Sequence, residues 1–192
     1  MNFGDDTMPF ENGTFTVALF SLPQDLPENY MDLLNANRAG DVDLVKDEPE
    51  IGWTSGRCLL DSKIEPQTVL WNNLVYVCLR KAERKVPSSM LKAWCQREEL
   101  VWMRANERDS VPSKQKKQIK EEVIEKNLMS VPPTLSSIPA VIDADNHMLY
   151  LGAGSPAQID LFLEYFVRTF KFELQQINPE YYCETEFQTH AD

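Results

Sequence analysis

The chain is poor in the residues that usually announce chemistry. Its two histidines, His147 and His190, are too few for a usual histidine metal site. Its four cysteines, Cys58, Cys78, Cys95 and Cys183, are spaced 20, 17 and 88 positions apart, which gives neither a CxxC pair nor a zinc-ribbon spacing. Cys78 and Cys95 lie among apolar neighbours and read as small hydrophobic side chains, with no disulfide expected in a reducing compartment. No apolar run approaches the ~20 residues that cross a bilayer, so no membrane association is expected. No lysine or arginine precedes Arg38, so the start lacks the basic region of a secretory signal, and a cytoplasmic location is the expectation.

What the chain does have is charge, unevenly placed. Thirty acids against 19 bases give a net charge of −11 over 192 residues. Between Arg80 and Lys126, however, thirteen bases face eight acids, a balance of +5, and the remainder carries −16. The summed field repels a polyanion while the local patch can still seat one. With 43% hydrophobic and 26% charged residues the composition is that of an ordinary globular protein, of a length for one domain or one domain with a projecting subdomain.

In chain order, residues 1–12 read as a loose lead-in. Thr14–Phe20 reads as a first strand closed by Pro23, and Leu26–Asn37 as a short helix ending near Gly40. The acidic span 41–50 reads as a solvated loop. A second strand is expected at Arg57–Leu60, after Ile51-Gly52-Trp53, and a central strand over Gln67–Leu79. Leu91, Trp94, Cys95, Trp102 and Ala105 recur at helical spacing from Ser88 to about Asn106. Ile119, Val123, Ile124 and Leu128 mark a second helix introduced by Pro112-Ser113. Lys114, Lys116, Lys117 and Lys120 crowd its first two turns, where cations oppose the helix dipole. Val131-Pro132-Pro133 breaks the pattern. Ala140–Asp143 and Met148–Leu151 flank Asp145-Asn146 as a hairpin, and Ser155-Pro156-Ala157-Gln158 caps a last helix with Ile159, Phe162, Leu163, Phe166, Val167 and Phe170 on one face. Glu173–Ile177 reads as a final strand and the acidic tail 178–192 as poorly packed. This order predicts an α+β domain with a mostly antiparallel sheet covered by helices on one face and a projecting helical pair. The body is 14–79 with 138–177; the basic pair is 80–130.

Three patterns compete for function. Gly152-Ala153-Gly154-Ser155-Pro156-Ala157 fits a dinucleotide fingerprint, but no second parallel βαβ unit is available, and a tight turn before a capped helix explains the same letters. Asp143 and Asp145 flank the hairpin turn without a nucleophile or phosphate loop, so no catalysis, cofactor or metal is expected. The basic segment is the remaining candidate. Arg80, Lys81, Arg84 and Lys85 at the exit of the central strand, with Lys114, Lys116, Lys117 and Lys120, line one concave surface if the helix pair folds back. A solvated helical hairpin carries the same composition, and composition does not choose between them.

Gly52-Trp53, the run Cys78-Leu79-Arg80-Lys81-Ala82-Glu83-Arg84-Lys85-Val86-Pro87-Ser88, the lysine-rich helix Lys114–Leu128, and Val141-Ile142-Asp143 before the hairpin resemble in order and spacing the N-terminal half of the bacterial recombination-associated RdgC proteins. The resemblance covers about residues 50–177. It implies sequence-independent binding of double-stranded DNA, a ring-shaped homodimer, nucleoid association and restraint of RecA-type strand exchange. It assigns Arg80, Lys81, Arg84 and Lys85 to the family's basic run, and Lys116, Lys117 and Lys120 to its basic second helix. The family's second half, with its further dimer and DNA contacts, has no counterpart in these residues. The family's arginine- and phenylalanine-bearing segment is here Pro132-Pro133-Thr134-Leu135-Ser136-Ser137, which has no base. The same scaffold without DNA binding would be an acidic protein-interaction module.

Overall fold

The computed structural model describes residues 16–178. Strand β1 (Ala18–Ser21) leads to helix α1 (Tyr30–Ala36) and a 3-10 turn at Val42–Leu44. Strand β2 (Glu50–Ser55), the single turn α2 (Pro66–Val69), the short β3 (Leu70–Trp71) and the long β4 (Leu74–Glu83) follow. Helices α3 (Ser88–Ala105) and α4 (Ser113–Asn127) precede β5 (Thr134–Asp143), β6 (Met148–Leu151), α5 (Pro156–Phe170) and β7 (Gln175–Gln176). The seven strands form one antiparallel sheet in the order β2-β4-β5-β6-β1-β7, with β3 paired to β4, so the fold is α+β. Among the described residues no helix is long and apolar enough to cross a membrane.

Two compact units divide the chain. The first takes the described residues up to Gly40, Ile51–Lys81 and those from Ser136 on; the second takes Asp41–Glu50 and Ala82–Leu135.

In the first unit, strand alternation sends Phe20, Val75, Val77, Leu79, Ala140, Ile142, Leu149 and Leu151 into one core, which Leu34 of α1 and Phe162, Phe166 and Phe170 of α5 complete. The register of the expected hairpin places Val141 opposite Tyr150 and Ile142 opposite Leu149, and β1 adds beside β6 with Ala18 opposite Leu151. Its turn is fixed by Asp143, whose carboxylate accepts from the Asn146 N–H at 3.1 Å and from its side-chain amide at 2.8 Å. That carboxylate therefore holds the turn. Ser155 caps α5 as its spacing predicts, accepting from the Gln158 N–H at 3.4 Å.

Trp53 is fully buried at the middle of this core. Its ring meets Phe162 and Tyr165 edge-on, both at 5.5 Å, and its indole N–H donates to Thr169 Oγ1 at 2.8 Å. Tyr165 Oη lies within hydrogen-bonding distance of the carbonyls of Asn37 (3.1 Å) and Ile51 (3.0 Å). The backbone after α1 runs beside β2, Ala39 N–H donating to the Trp53 carbonyl at 2.8 Å and Trp53 N–H to that of Asn37 at 3.1 Å. Gly52 makes this approach possible, because a Cβ there would lie 2.4 Å from both Cα and N of Ala39.

Two strand expectations are corrected. The second strand is Glu50–Ser55, and Arg57–Leu60 forms a turn in which Asp61 N–H donates to the Cys58 carbonyl at 3.1 Å. The expected strand Gln67–Leu79 is interrupted twice. A capping box between Glu65 and Thr68 with Pro66 nucleates the turn α2, and Asn72 and Asn73, at φ 50° and 65°, make the tight β3–β4 turn. The expected strand Glu173–Ile177 contracts to β7, and the first strand begins at Ala18. The readings on 1–12, Thr14, Phe15, the tail beyond 178, Cys183 and His190 lie outside the described residues.

Gly52→Ala is expected to destabilise the fold by about 3 kcal/mol, as a steric clash against backbone does. Urea unfolding followed by circular dichroism measures it, and a loss under about 1 kcal/mol would mean that the strap at 37–39 yields. Cys78 gives a pH test: burial pushes its thiol from 9.0 up to about 12. The folded thiol thus holds its proton where the unfolded one has lost it, so this stability is complete below pH 9 and is lost as pH rises from 9 toward 12. Cys78→Val should therefore lose less stability than the native chain between pH 9 and pH 10.5, by up to about 1.4 kcal/mol per pH unit.

Candidate nucleic-acid interface

The basic run at the end of β4 is split by the pleat. The strand continues to Glu83, beyond the expected end at Leu79, so Arg80 and Lys81 point to opposite sides, and Arg84 and Lys85 follow just past its end. Arg80 is 1% exposed; its Nη1 donates to the Leu59 carbonyl at 3.0 Å and its Nη2 to that of Gly40 at 2.5 Å. Arg84 is 7% exposed and serves the second unit in the same way. Its Nε donates to Val45 (2.9 Å), Nη1 to Val131 (2.6 Å) and Met129 (3.2 Å), and Nη2 to Asp43 (3.3 Å), all at carbonyl oxygens. A guanidinium's five donors in a fixed fork suit this work of pinning loop carbonyls that would otherwise lack partners. Both arginines therefore leave the expected concave cationic surface: their charged groups face inward.

Lys81 is half-buried and lines a cavity of about 210 Å³ with Leu79, Ser136, Ser137 and Gln158. Lys85 is exposed and pairs with Glu83 at 3.0 Å.

The second unit holds the helical hairpin, which closes on Val111, Ile119 and Val123 packed against Leu91, Trp94, Cys95, Trp102 and Met103. With Ile119 and Val123 turned inward, Lys114, Lys116, Lys117 and Lys120 are all exposed on α4. Lys114, Lys117 and Lys120 follow steps of three along one flank of the helix, while Lys116, two positions from Lys114, turns toward α3. Two are partly neutralised, Lys116 by Glu99 of α3 at 3.8 Å and Lys117 by Glu121 at 3.8 Å. Lys120 lies near Cys95, whose thiol is held up by burial, then by Glu99, with Lys120 acting against them. Exposed pairs of this length are worth little and exchange readily for another anion.

Chemically, this side of α4 offers amines as point charges to an anionic backbone and no planar fork aimed at base edges. Among the described residues no three His, Cys, Asp or Glu come together as a metal site. Arg104 and Arg108, exposed at the end of α3 and in the turn before α4, were not among the expected contacts. Their position in the inter-helix turn was the available signal.

The same side of α4 changes character further along. Glu121 and Glu125 continue the row from Lys117 at steps of four. With Ile124, Leu128, Met129, Lys46 and Asp47 they line a groove of about 570 Å³. The span 41–50, expected to be a solvated loop, contributes one wall, and the buried Val45 anchors it. Val42, Leu44 and Val45 within an acidic run were the signal for that anchor.

An α+β sheet protein bearing a lysine-faced helical hairpin is the class these features define. The model of the family described as "Putative exonuclease, RdgC" matches residues 17–188, most of the chain. The chain belongs to the RdgC family, which is recombination-associated. No curated protein matches it.

The inward placement of Arg84 makes a direct prediction. Arg84→Lys, which keeps the charge and loses the fork, should destabilise by about 2 kcal/mol because several carbonyls lose their donor. Urea midpoints measure this, with Lys120→Ala as the exposed reference that leaves the midpoint where it is. An unchanged midpoint for Arg84→Lys would return that residue to the list of surface cations.

Proposed function

We propose that this chain is a non-enzymatic RdgC-family protein that binds double-stranded DNA without reading its sequence, through lysine contacts to the phosphate backbone. The observation that carries the proposal is the exposed set of Lys114, Lys116, Lys117 and Lys120 in the first turns of α4. Cations in the first turns of a helix work against its dipole, so helix stability does not select this placement. Phosphates would take the place of Glu99 and Glu121 beside Lys116 and Lys117. Lys85 and Lys81 are the remaining contacts of the basic run, with Arg80 and Arg84 acting through the structure that presents it. On this reading the protein is cytoplasmic and nucleoid-associated, self-associates as a homodimer, and restrains a RecA-type recombinase by occupying its DNA.

A second reading has its own support. With both arginines inward and Lys85, Lys116 and Lys117 paired to acids, the scaffold is equally suited to an acidic module that acts through a protein partner.

A labelled duplex titrated with the protein at low and moderate salt separates the two. The DNA reading expects a shift at low salt, insensitive to duplex sequence, with log K falling by about 0.9 per phosphate contact for each log unit of salt. Replacing Lys114, Lys116, Lys117 and Lys120 by alanine should flatten that slope by about 2 to 4 and remove most of the affinity. No shift at low salt would overturn the DNA reading and leave the second.

A further inference from the structure

The acidic groove at the far end of α4 is unlike the lysine face in both charge and surface. Its floor is apolar: Ile124 is half-buried, and Met129, 50% exposed, presents a flexible thioether side chain. Its rim carries Asp47, Glu121 and Glu125 against the single cation Lys46. Leu44, two residues ahead of Lys46, is the most exposed large apolar side chain among the described residues, at 72%. A mostly acidic rim beside exposed apolar side chains offers a partner charge and apolar contact together.

We infer that this groove docks a cationic amphipathic segment of another protein, with apolar side chains over Ile124 and Met129 and lysines or arginines against Asp47, Glu121 and Glu125. Charge decides the occupant. A nucleic acid is repelled by the three carboxylates, and an anionic peptide likewise. Residues 1–37 and 172–192 hold no lysine or arginine, so neither segment supplies the cations. The inference specifies the surface and partner chemistry for the second reading above, and it holds whether or not the lysine face binds DNA. Lys117 and Glu121 are one helical turn apart, so the two ligands would meet adjacent surfaces of opposite sign.

The probe is a fluorescein-labelled amphipathic helix made of leucine and lysine, titrated against the full chain and read by fluorescence anisotropy. Saturable binding of one peptide per chain is expected, and the triple variant Asp47→Lys, Glu121→Lys, Glu125→Lys should weaken it by about tenfold or more. The chain is acidic overall, so general attraction must be separated from the groove. Asp160→Lys, Glu164→Lys and Glu173→Lys, an equal charge reversal at exposed positions of the first unit, should change binding less than about twofold. Met129→Asp adds a favourable charge and removes apolar contact, so the groove predicts weaker binding. Equal weakening by the two reversals, tighter binding by Met129→Asp, or binding that never saturates would each overturn the inference. So would self-association that the groove reversal abolishes, since the occupant would then be a second copy. The duplex shift is measured on the same variants: its survival when peptide binding is lost, or its loss when peptide binding survives, tells the two proposals apart.

Discussion

The two-residue period of β4 is the constraint on which the rest of this molecule depends. A strand must send successive side chains to opposite sides, and β4 does so through a stretch of sequence dense with cations. One side receives Arg80, whose guanidinium donates to carbonyls of Gly40 and Leu59 in the first unit; Arg84, just past the strand's end, donates to those of Asp43, Val45, Met129 and Val131 in the second. Buried carbonyls left without partners are costly, and few side chains other than arginine can serve four from one position. The basic run is thus first a structural device. Only the alternate residues remain for anything outside.

This is also where reading the sequence reached its limit. The helices α3, α4 and α5 were legible almost to the residue, because each carries an apolar stripe over several turns and a proline or serine at its start. The hairpin of β5 and β6 was legible from alternation around Asp145-Asn146. The short elements were not. Over Gln67–Leu79 an apolar-rich run concealed a helical turn and a two-asparagine turn, since local hydrogen bonds at Thr68 and the tolerance of asparagine for positive φ outweighed the strand pattern. Ending the central strand at Leu79 hid the alternation that buries Arg80. Charge alone cannot report burial, because the carbonyls that receive these donors are distant in sequence.

Within the second unit the exposed side of α4 is ordered along its length: four lysines, then the carboxylates and apolar floor of the groove. The match to the RdgC family spans residues 17–188 and so includes the lysine helix. It does not require that every cation of the basic run face a ligand, and here two of them do not. Surfaces of opposite sign thus follow one another along one helix.

The order of charge on α4 runs against the helix's own field, with lysines at the positive end and Glu125 close to the negative one. Dissolved ions soften that internal conflict, as they soften every exposed interaction. Raising ionic strength therefore firms this helix under the same conditions that would loosen a hold on phosphates. If its lysines bind phosphate as proposed, the helix would gain most from an arriving anion at low salt, where its own charges oppose it most.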